Sequence, residues 1–494
     1  MILAEMARWR TAPGTVLTLG PTPASLAAAA GAPVDSAPPS FLQADHLRAY
    51  AARRRAGGVH RAWTGVATDL DGPLDRDALA RALTRLVTTH EGLRSWFDLT
   101  GEVPVRHVVP VADVEHAVVD VRELEVEDGS WDEALQAHLV RTFDAACRPD
   151  AWPGFVLGAV EHADGFGLFW GCDHAFTDGA SQLMVASELA DLYAAEVAEP
   201  GGPALVEGAL PTPQESGPFG VFAAEERARA ATYDASSPEV RAWTDLVESR
   251  GGRLPSFPLD LGLEPGTTAP VHIASYDLLD AGAASRLDAR CRALGVRTVS
   301  AVFAALAATD HLLAGRATYA GVTVLGARDT GPYLRSHGWF CTFAPVLFEV
   351  APHADDLDAL LVAAHAGFES GRRASRMPAH VALAEMLRTG VLGPDGVGSP
   401  QLVSYLDVRR FPGAGRTAHE RGVHFTGEGR TANASMWVNR DAERLYVGLQ
   451  HPDTPEAHDA VARYSAVLAR VAGALAEGST SLPEVETSRA GHVG

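Results

Sequence analysis

At 494 residues, 47% of them hydrophobic, the chain exceeds the size at which one core stops growing, so two lobes are expected. Its formal net charge is −21 and, as it holds no lysine, its 41 basic residues are all arginine; this excludes Schiff-base lysine chemistry and argues against a nucleic-acid partner. No apolar run approaches the roughly 20 residues that span a bilayer, and Glu5 stands where a signal peptide needs an apolar core, so a soluble, cytoplasmic protein is expected.

Residues 1–40, rich in Ala, Pro and Gly, read as a loosely ordered lead-in that adds one strand near 15–19. The N-terminal lobe, 41–197, then runs strand 61–70, helix 75–90, strands 93–98 and 103–111, and amphipathic helix 132–146. Strands 154–163 and 165–172 follow, joined by an Asp-Gly hairpin signal, and then a helix over 179–196 in which Leu183, Ala186, Leu189 and Leu192 recur at the helical period. Residues 198–220 are dense in Pro, Gly and Glu, and the linker is placed at 198–235. The C-terminal lobe, 236–485, repeats the grammar: strand 271–278, helices from 281 and 298, strands 317–327 and 343–350, helix 355–368, strand 401–408, strands near 434 and 444, and a long helix from 456. A flexible tail, 486–494, ends the chain.

The chemistry concentrates in "FWGCDHAFTDGASQLM", 169–184. His174 follows an apolar strand and precedes a helix, where a partly shielded neutral imidazole with a pKa near 6.5 can take a proton at neutral pH and return it. Asp178 has two readings from its position alone, a helix N-cap worth about 1 kcal/mol or the partner of a buried arginine. Gly179 allows a close backbone approach that a Cβ would forbid. Cys147, Cys172, Cys291 and Cys341 form no C-x-x-C pair, and the 19 histidines form no HExxH, so no metal site is expected.

Several segments in family order resemble the condensation domains of nonribosomal peptide synthetases and the wider HHxxxDG acyltransferase superfamily that includes chloramphenicol acetyltransferase. They are "SFLQADHLRAY" (40–50), "LTRLVTTHEGLRSWFD" (83–98), "DHAFTDG" (173–179), "SHGWFCTFAPV" (336–346) and "SYLDVRRFPG" (404–413). The resemblance implies an α/β (α+β) fold of two chloramphenicol-acetyltransferase-like lobes, arranged as a V-shaped pseudo-dimer with the active site in the tunnel between them. It makes His174 the catalytic base and gives Asp178 a structural role, with Arg94 the first choice of salt-bridge partner and Arg328 the second. The Gly179 amide is a candidate oxyanion donor. Ser404, Tyr405, Asp407, Trp339 and Ser181 are candidate substrate-tunnel residues, though an ordinary strand would account for the first three, and Phe340 reads as core packing.

Two residues depart from the family pattern. Asp173 replaces the first motif histidine, and Cys341 replaces the usual asparagine of the Gly-x-Phe segment. Asp173, Asp178 and Ser181 also satisfy the Asp-x-x-x-x-Asp-x-x-Ser pattern of heterocyclisation domains; the retained His174 favours ordinary acyl transfer. The implied function is a free-standing condensation enzyme in natural-product biosynthesis. It would move an acyl group from a phosphopantetheine thioester on a carrier protein to an amine or alcohol, with no bound cofactor and no metal. The alternatives are a coenzyme A-dependent or lipid-alcohol O-acyltransferase, a heterocyclisation domain, and a non-catalytic carrier-binding module.

Overall fold

The computed structural model describes residues 2–3, 5–126, 129–201, 216–328, 331–393, 396, 398–427 and 429–484. The chain divides into two compact units. Unit 1 comprises Met1–Arg229, Gly326–Cys341 and Arg410–Glu428; unit 2 comprises Ala230–Leu325, Thr342–Arg409 and Gly429–Gly494. Neither is contiguous, which corrects the expectation of lobes at 41–197 and 236–485: unit 1 draws on two segments of the C-terminal half.

Unit 1 is built on a seven-stranded sheet in the order Ile2–Leu3, Val423–Thr426, Trp63–Asp71, Gly165–Asp173, Phe155–His162, Thr15–Pro21, His116–Arg122. Its centre is the hairpin of Phe155–His162 and Gly165–Asp173, which turns through Ala163-Asp164. All nine residues of Gly165–Asp173 are buried, and this explains why no charged residue appears in the run before Asp173, because both faces of the strand are covered. Gly171 interrupts that run because a Cβ there would stand 2.5 Å from Phe143 Cδ1. Helix Arg76–Thr89, capped by Asp75, buries Leu79, Leu83, Leu86 and Val87 at the spacing that lines one helical face.

The expected loose lead-in is instead ordered over much of its length. Thr15–Pro21 pairs with strands on both sides, and Thr22 caps a helix, Pro23–Ala30. The linker expectation fails at its C-terminal end: Phe219–Ala230 is a helix whose Phe219 and Phe222 pack with Tyr333 and Phe340, apolar burial that a linker composition does not announce. Residues 202–215 of that linker, and the tail 486–494, lie outside the described residues. Strand His116–Arg122 and helices Phe41–Arg55, Pro238–Ser249 and Ala379–Thr389 were not anticipated.

Unit 2 has its own seven-stranded sheet, in the order Cys341–Glu349, Thr318–Gly326, Leu402–Asp407, Ser435–Arg440, Arg444–Pro452, Ala269–Asp280, Arg430–Thr431. Helices Thr298–Ala314, Leu357–Ala374 and Pro455–Glu477 supply much of its core, including Phe303, Leu360, Leu361, Val461, Leu468 and Val471. No single helix among the described residues is long and apolar enough to cross a membrane.

Candidate active site

The strand Gly165–Asp173 runs directly into a short 3-10 turn, His174–Phe176, and then into the 20-residue helix Gly179–Ala198. Each junction is set by an aspartate. Asp173 Oδ1 accepts from the Ala175 amide at 2.9 Å, and Asp178 Oδ1 accepts from the Ser181 amide at 2.8 Å as the helix N-cap. His174 is therefore held between two capped turns. Its backbone N–H donates to the Ala62 carbonyl at 3.0 Å, and Gln43 Nε2 donates to the Ala175 carbonyl at 2.8 Å. Gln43 belongs to the capping box that Ser40 starts on helix Phe41–Arg55, which gives the Ser-x-x-Gln pattern a mechanical reason.

Both readings of Asp178 hold at once. Besides capping, it takes Arg328 Nη1 on Oδ2 at 2.6 Å and Nη2 on Oδ1 at 2.8 Å, a bidentate pair, and accepts from the Phe340 amide at 2.9 Å. The carboxylate is 1% exposed. Burial alone would push its pKa up, but the Arg328 charge and hydrogen bonds hold it below the ordinary carboxylate value. Arg328 also donates to Ser181 Oγ at 2.7 Å and to the Ser336 and Gly338 carbonyls. Gly338 has φ +156° and a Cβ there would collide with Phe219, so only glycine fits.

This corrects two expectations. Arg94 is not the partner of Asp178: it lies in a 3-10 turn and donates to the Val109 carbonyl at 2.8 Å. Ser181 is not a tunnel residue, since it is fully buried and its hydroxyl donates to the Gly338 carbonyl at 3.1 Å within the clamp. Cys341, in place of the family asparagine, sits 3.6 Å from Asp178 Oδ2 and reaches the same carboxylate through a weak S–H donor.

The clamp bears on His174 through Trp339, whose half-buried ring packs on the imidazole at 4.1 Å between centroids with a 36° tilt. His174 Nδ1 is buried without a hydrogen-bond partner, while the residue as a whole is half-buried. Burial, followed by the nearby charge of His46, lowers its pKa below the ordinary histidine value, so the ring is a neutral base at neutral pH. Gly179 is exposed at the first position of its helix. Ser404, Tyr405 and Asp407 lie on strand Leu402–Asp407 of unit 2, where Asp407 is paired by Arg409 at 2.7 Å and the Tyr405 hydroxyl is buried without a hydrogen-bond partner.

Asp173 is a completely buried anion. Its Oδ1 is 2.8 Å from His46 Nε2 and its Oδ2 3.4 Å from His60 Nε2. Burial opposes ionisation, yet the His46 charge and hydrogen bond bring its pKa down to about 2. His46 also meets Trp339 edge-on at 5.8 Å, so the indole contacts both Asp173's partner and His174. A second buried carboxylate, Glu188, holds His90 Nε2 at 2.8 Å and His337 Nε2 at 2.9 Å. Sequence reasoning missed His46, His60, His90, Glu188 and His337. The signal for Glu188 was present: it is an acid on the helix face that buries Val185, Ala186 and Leu189.

The model of the Condensation domain family matches residues 58–384, and the chain belongs to that family. It is 28% identical over 487 residues to 2'-acyl-2-O-sulfo-trehalose (hydroxy)phthioceranyltransferase PapA1 of Mycobacterium tuberculosis (strain CDC 1551 / Oshkosh), covering 97% of this chain and 89% of that protein. It is likewise 28% identical over 476 residues to trehalose-2-sulfate acyltransferase PapA2 of Mycobacterium bovis (strain BCG / Pasteur 1173P2), covering 96% and 97%. The solved structure of PapA2 acyl transferase superposes with a TM-score of 0.84 at 26% identity, covering 97% of this chain and all of that one. The first condensation domain of the calcium-dependent antibiotic synthetase superposes at 0.63 with 21% identity, over 88% and 97%, a likeness of fold. The chain is an acyltransferase, joining an acyl donor to an alcohol or amine acceptor.

Proposed function

We propose that this enzyme makes esters, carrying an acyl group from a phosphopantetheine thioester on a carrier protein to the hydroxyl of a small polyol or sugar. The observation that carries the reading is His174, half-buried with Nδ1 enclosed, and the loop around it locked by the Asp178–Arg328 clamp. Nε2 takes the acceptor hydroxyl proton as the oxygen attacks the thioester carbonyl. The tetrahedral intermediate then collapses, the C–S bond breaks, and the imidazolium returns the proton to the departing thiolate. The exposed Gly179 amide, at a helix N-terminus, suits the developing oxyanion. Holding both partners in place supplies much of the remaining rate.

The ester product is favoured over the amide by the relatives, whose names specify acyl transfer to trehalose derivatives. Heterocyclisation is disfavoured because Ser181 is spent inside the clamp and Asp173 is bound to His46. The test is acyl transfer to trehalose and to an amine of similar size, from an acylated carrier protein and from the matching coenzyme A thioester, with product followed by mass spectrometry. Ester from the carrier thioester, reduced about 10²–10⁴-fold by His174→Ala, is expected. Unchanged transfer by that variant overturns the base assignment, a preference for coenzyme A overturns the carrier, and amide alone overturns the ester.

A further inference from the structure

Unit 2 carries a cluster of three histidines that acyl transfer does not use. His272, on strand Ala269–Asp280, and His451, on strand Arg444–Pro452, are directly opposed partners of an antiparallel pair, so their side chains share one face of the sheet. His458, in the first turn of helix Pro455–Glu477, adds a third ring. The centroids are 5.1 Å apart for His272 and His451, 4.5 Å for His272 and His458, and 5.1 Å for His451 and His458. One ring nitrogen of each lies within 4.8 Å of the other two.

The detail that points to a ligand is His451. It is 1% exposed, its Nδ1 donates to the Pro452 carbonyl at 2.8 Å, and its Nε2 is buried without a hydrogen-bond partner. A buried polar atom left unsatisfied is costly, so a partner for it is expected. The Nδ1 bond fixes the tautomer, so the Nε2 lone pair is directed away from the backbone and available to a cation. His458 is held by a carboxylate: its Nε2 meets Asp453 Oδ1 at 2.8 Å, and a carboxylate is the usual outer partner of a metal-bound imidazole. The two histidine–carboxylate clusters of unit 1 differ from this one. There Glu188 already occupies the Nε2 atoms of His90 and His337, and Asp173 faces those of His46 and His60.

We infer that His272, His451 and His458 form a three-imidazole site for a late first-row divalent cation, zinc foremost, with its fourth position open to water. Imidazole suits this class of ion, and zinc takes nitrogen at about 2.0–2.1 Å in a tetrahedron. The ligand atoms therefore close by roughly an ångström on binding. His272 and His458 can make that movement, because both are only partly buried. A bound ion would staple two neighbouring strands to the start of the 23-residue helix Pro455–Glu477, so its role is to stabilise unit 2, independently of the chemistry in unit 1.

The test uses the full chain, stripped of metal by a chelator and titrated with Co²⁺ and then Zn²⁺. One Co²⁺ per chain at micromolar concentration is expected, with a visible d–d absorption that Zn²⁺ bleaches and a thermal-unfolding midpoint that rises with Zn²⁺. His458→Gln, on a partly exposed helical turn, should fold as the parent does by circular dichroism, keep acyl transfer, and lose both the absorption and the stabilisation. His451→Gln should do the same, whereas His353→Gln, outside the cluster, should bind as the parent does. No absorption at stoichiometric metal, binding that needs millimolar metal, or an absorption that survives His458→Gln overturns the site.

Discussion

Arg328 grips both carboxylate oxygens of Asp178, at 2.6 and 2.8 Å, across 150 positions of sequence. Removing one partner of a buried pair leaves the other charged and unsolvated, at a cost of about 3–5 kcal/mol. Arg328→Ala should therefore lower the unfolding free energy by that amount in urea titrations, with transfer activity lost as the loop around His174 loosens. Arg94→Ala removes a hydrogen bond to one carbonyl and should cost about 1 kcal/mol. Arg94→Ala proving the more damaging of the two would reverse the assignment.

The acid limb of the rate profile should fall below the ordinary histidine pKa of about 6.5. Burial disfavours the imidazolium of His174, so the basic form persists as the pH drops. Trp339 supplies part of that shielding, and Trp339→Ala should move the limb back toward 6.5 while lowering the rate. The check is kcat/KM measured from pH 5 to 8; a limb at or above pH 7 in the parent contradicts it.

Restoring the family histidine at position 173 should not repair anything. The Asp173 anion is the acceptor for His46 Nε2 and faces His60 Nε2, and a third imidazole offers them no charge. Asp173→His should cost roughly 3 kcal/mol or more by the same uncompensated-charge argument, with a matching drop in the thermal midpoint. A variant as stable as the parent would show that the buried triad contributes nothing.

Acid should destabilise the protein in two stages. His116 is 5% exposed, and burial lowers its pKa to about 4. A depressed folded-state pKa means that the unfolded chain binds the proton first, so the stability present above pH 6.5 is lost as the pH falls toward 4. The loss from this residue is about 3 kcal/mol. The lowered carboxyls of Asp173, Asp178 and Glu188 act at lower pH, because their contribution is present above about 4 and disappears as they protonate. Unfolding free energies at successive pH values should be shallower in His116→Gln between pH 6.5 and 4 and parallel to the parent below.

The catalytic loop was legible because its signals are local. An apolar strand, a histidine, and an aspartate ahead of a helical repeat specify a strand, a turn and a capped helix within sixteen residues, and the structure has them. The choice between Arg94 and Arg328 was not: the apolar neighbours Leu93 and Trp96 favoured Arg94 over Arg328, which precedes Asp329, and nothing local records which one folds against residue 178. The structural role of Ser181 was hidden for the same reason: its partners Gly338 and Arg328 lie far along the chain. Asp173 read as a departure from a motif, whereas its meaning came from His46 and His60.

By itself the sequence pointed to the family and its acyl-transfer class and singled out His174 as the candidate base, since these rest on short motifs whose residues are neighbours along the chain. Only the tertiary structure decided which arginine neutralises Asp178, what Asp173 binds, and that His272 faces His451 and His458. A buried charge or a ring nitrogen is satisfied by whatever the fold brings within about 3 Å, and that proximity comes from strand order and helix packing rather than from neighbours along the chain.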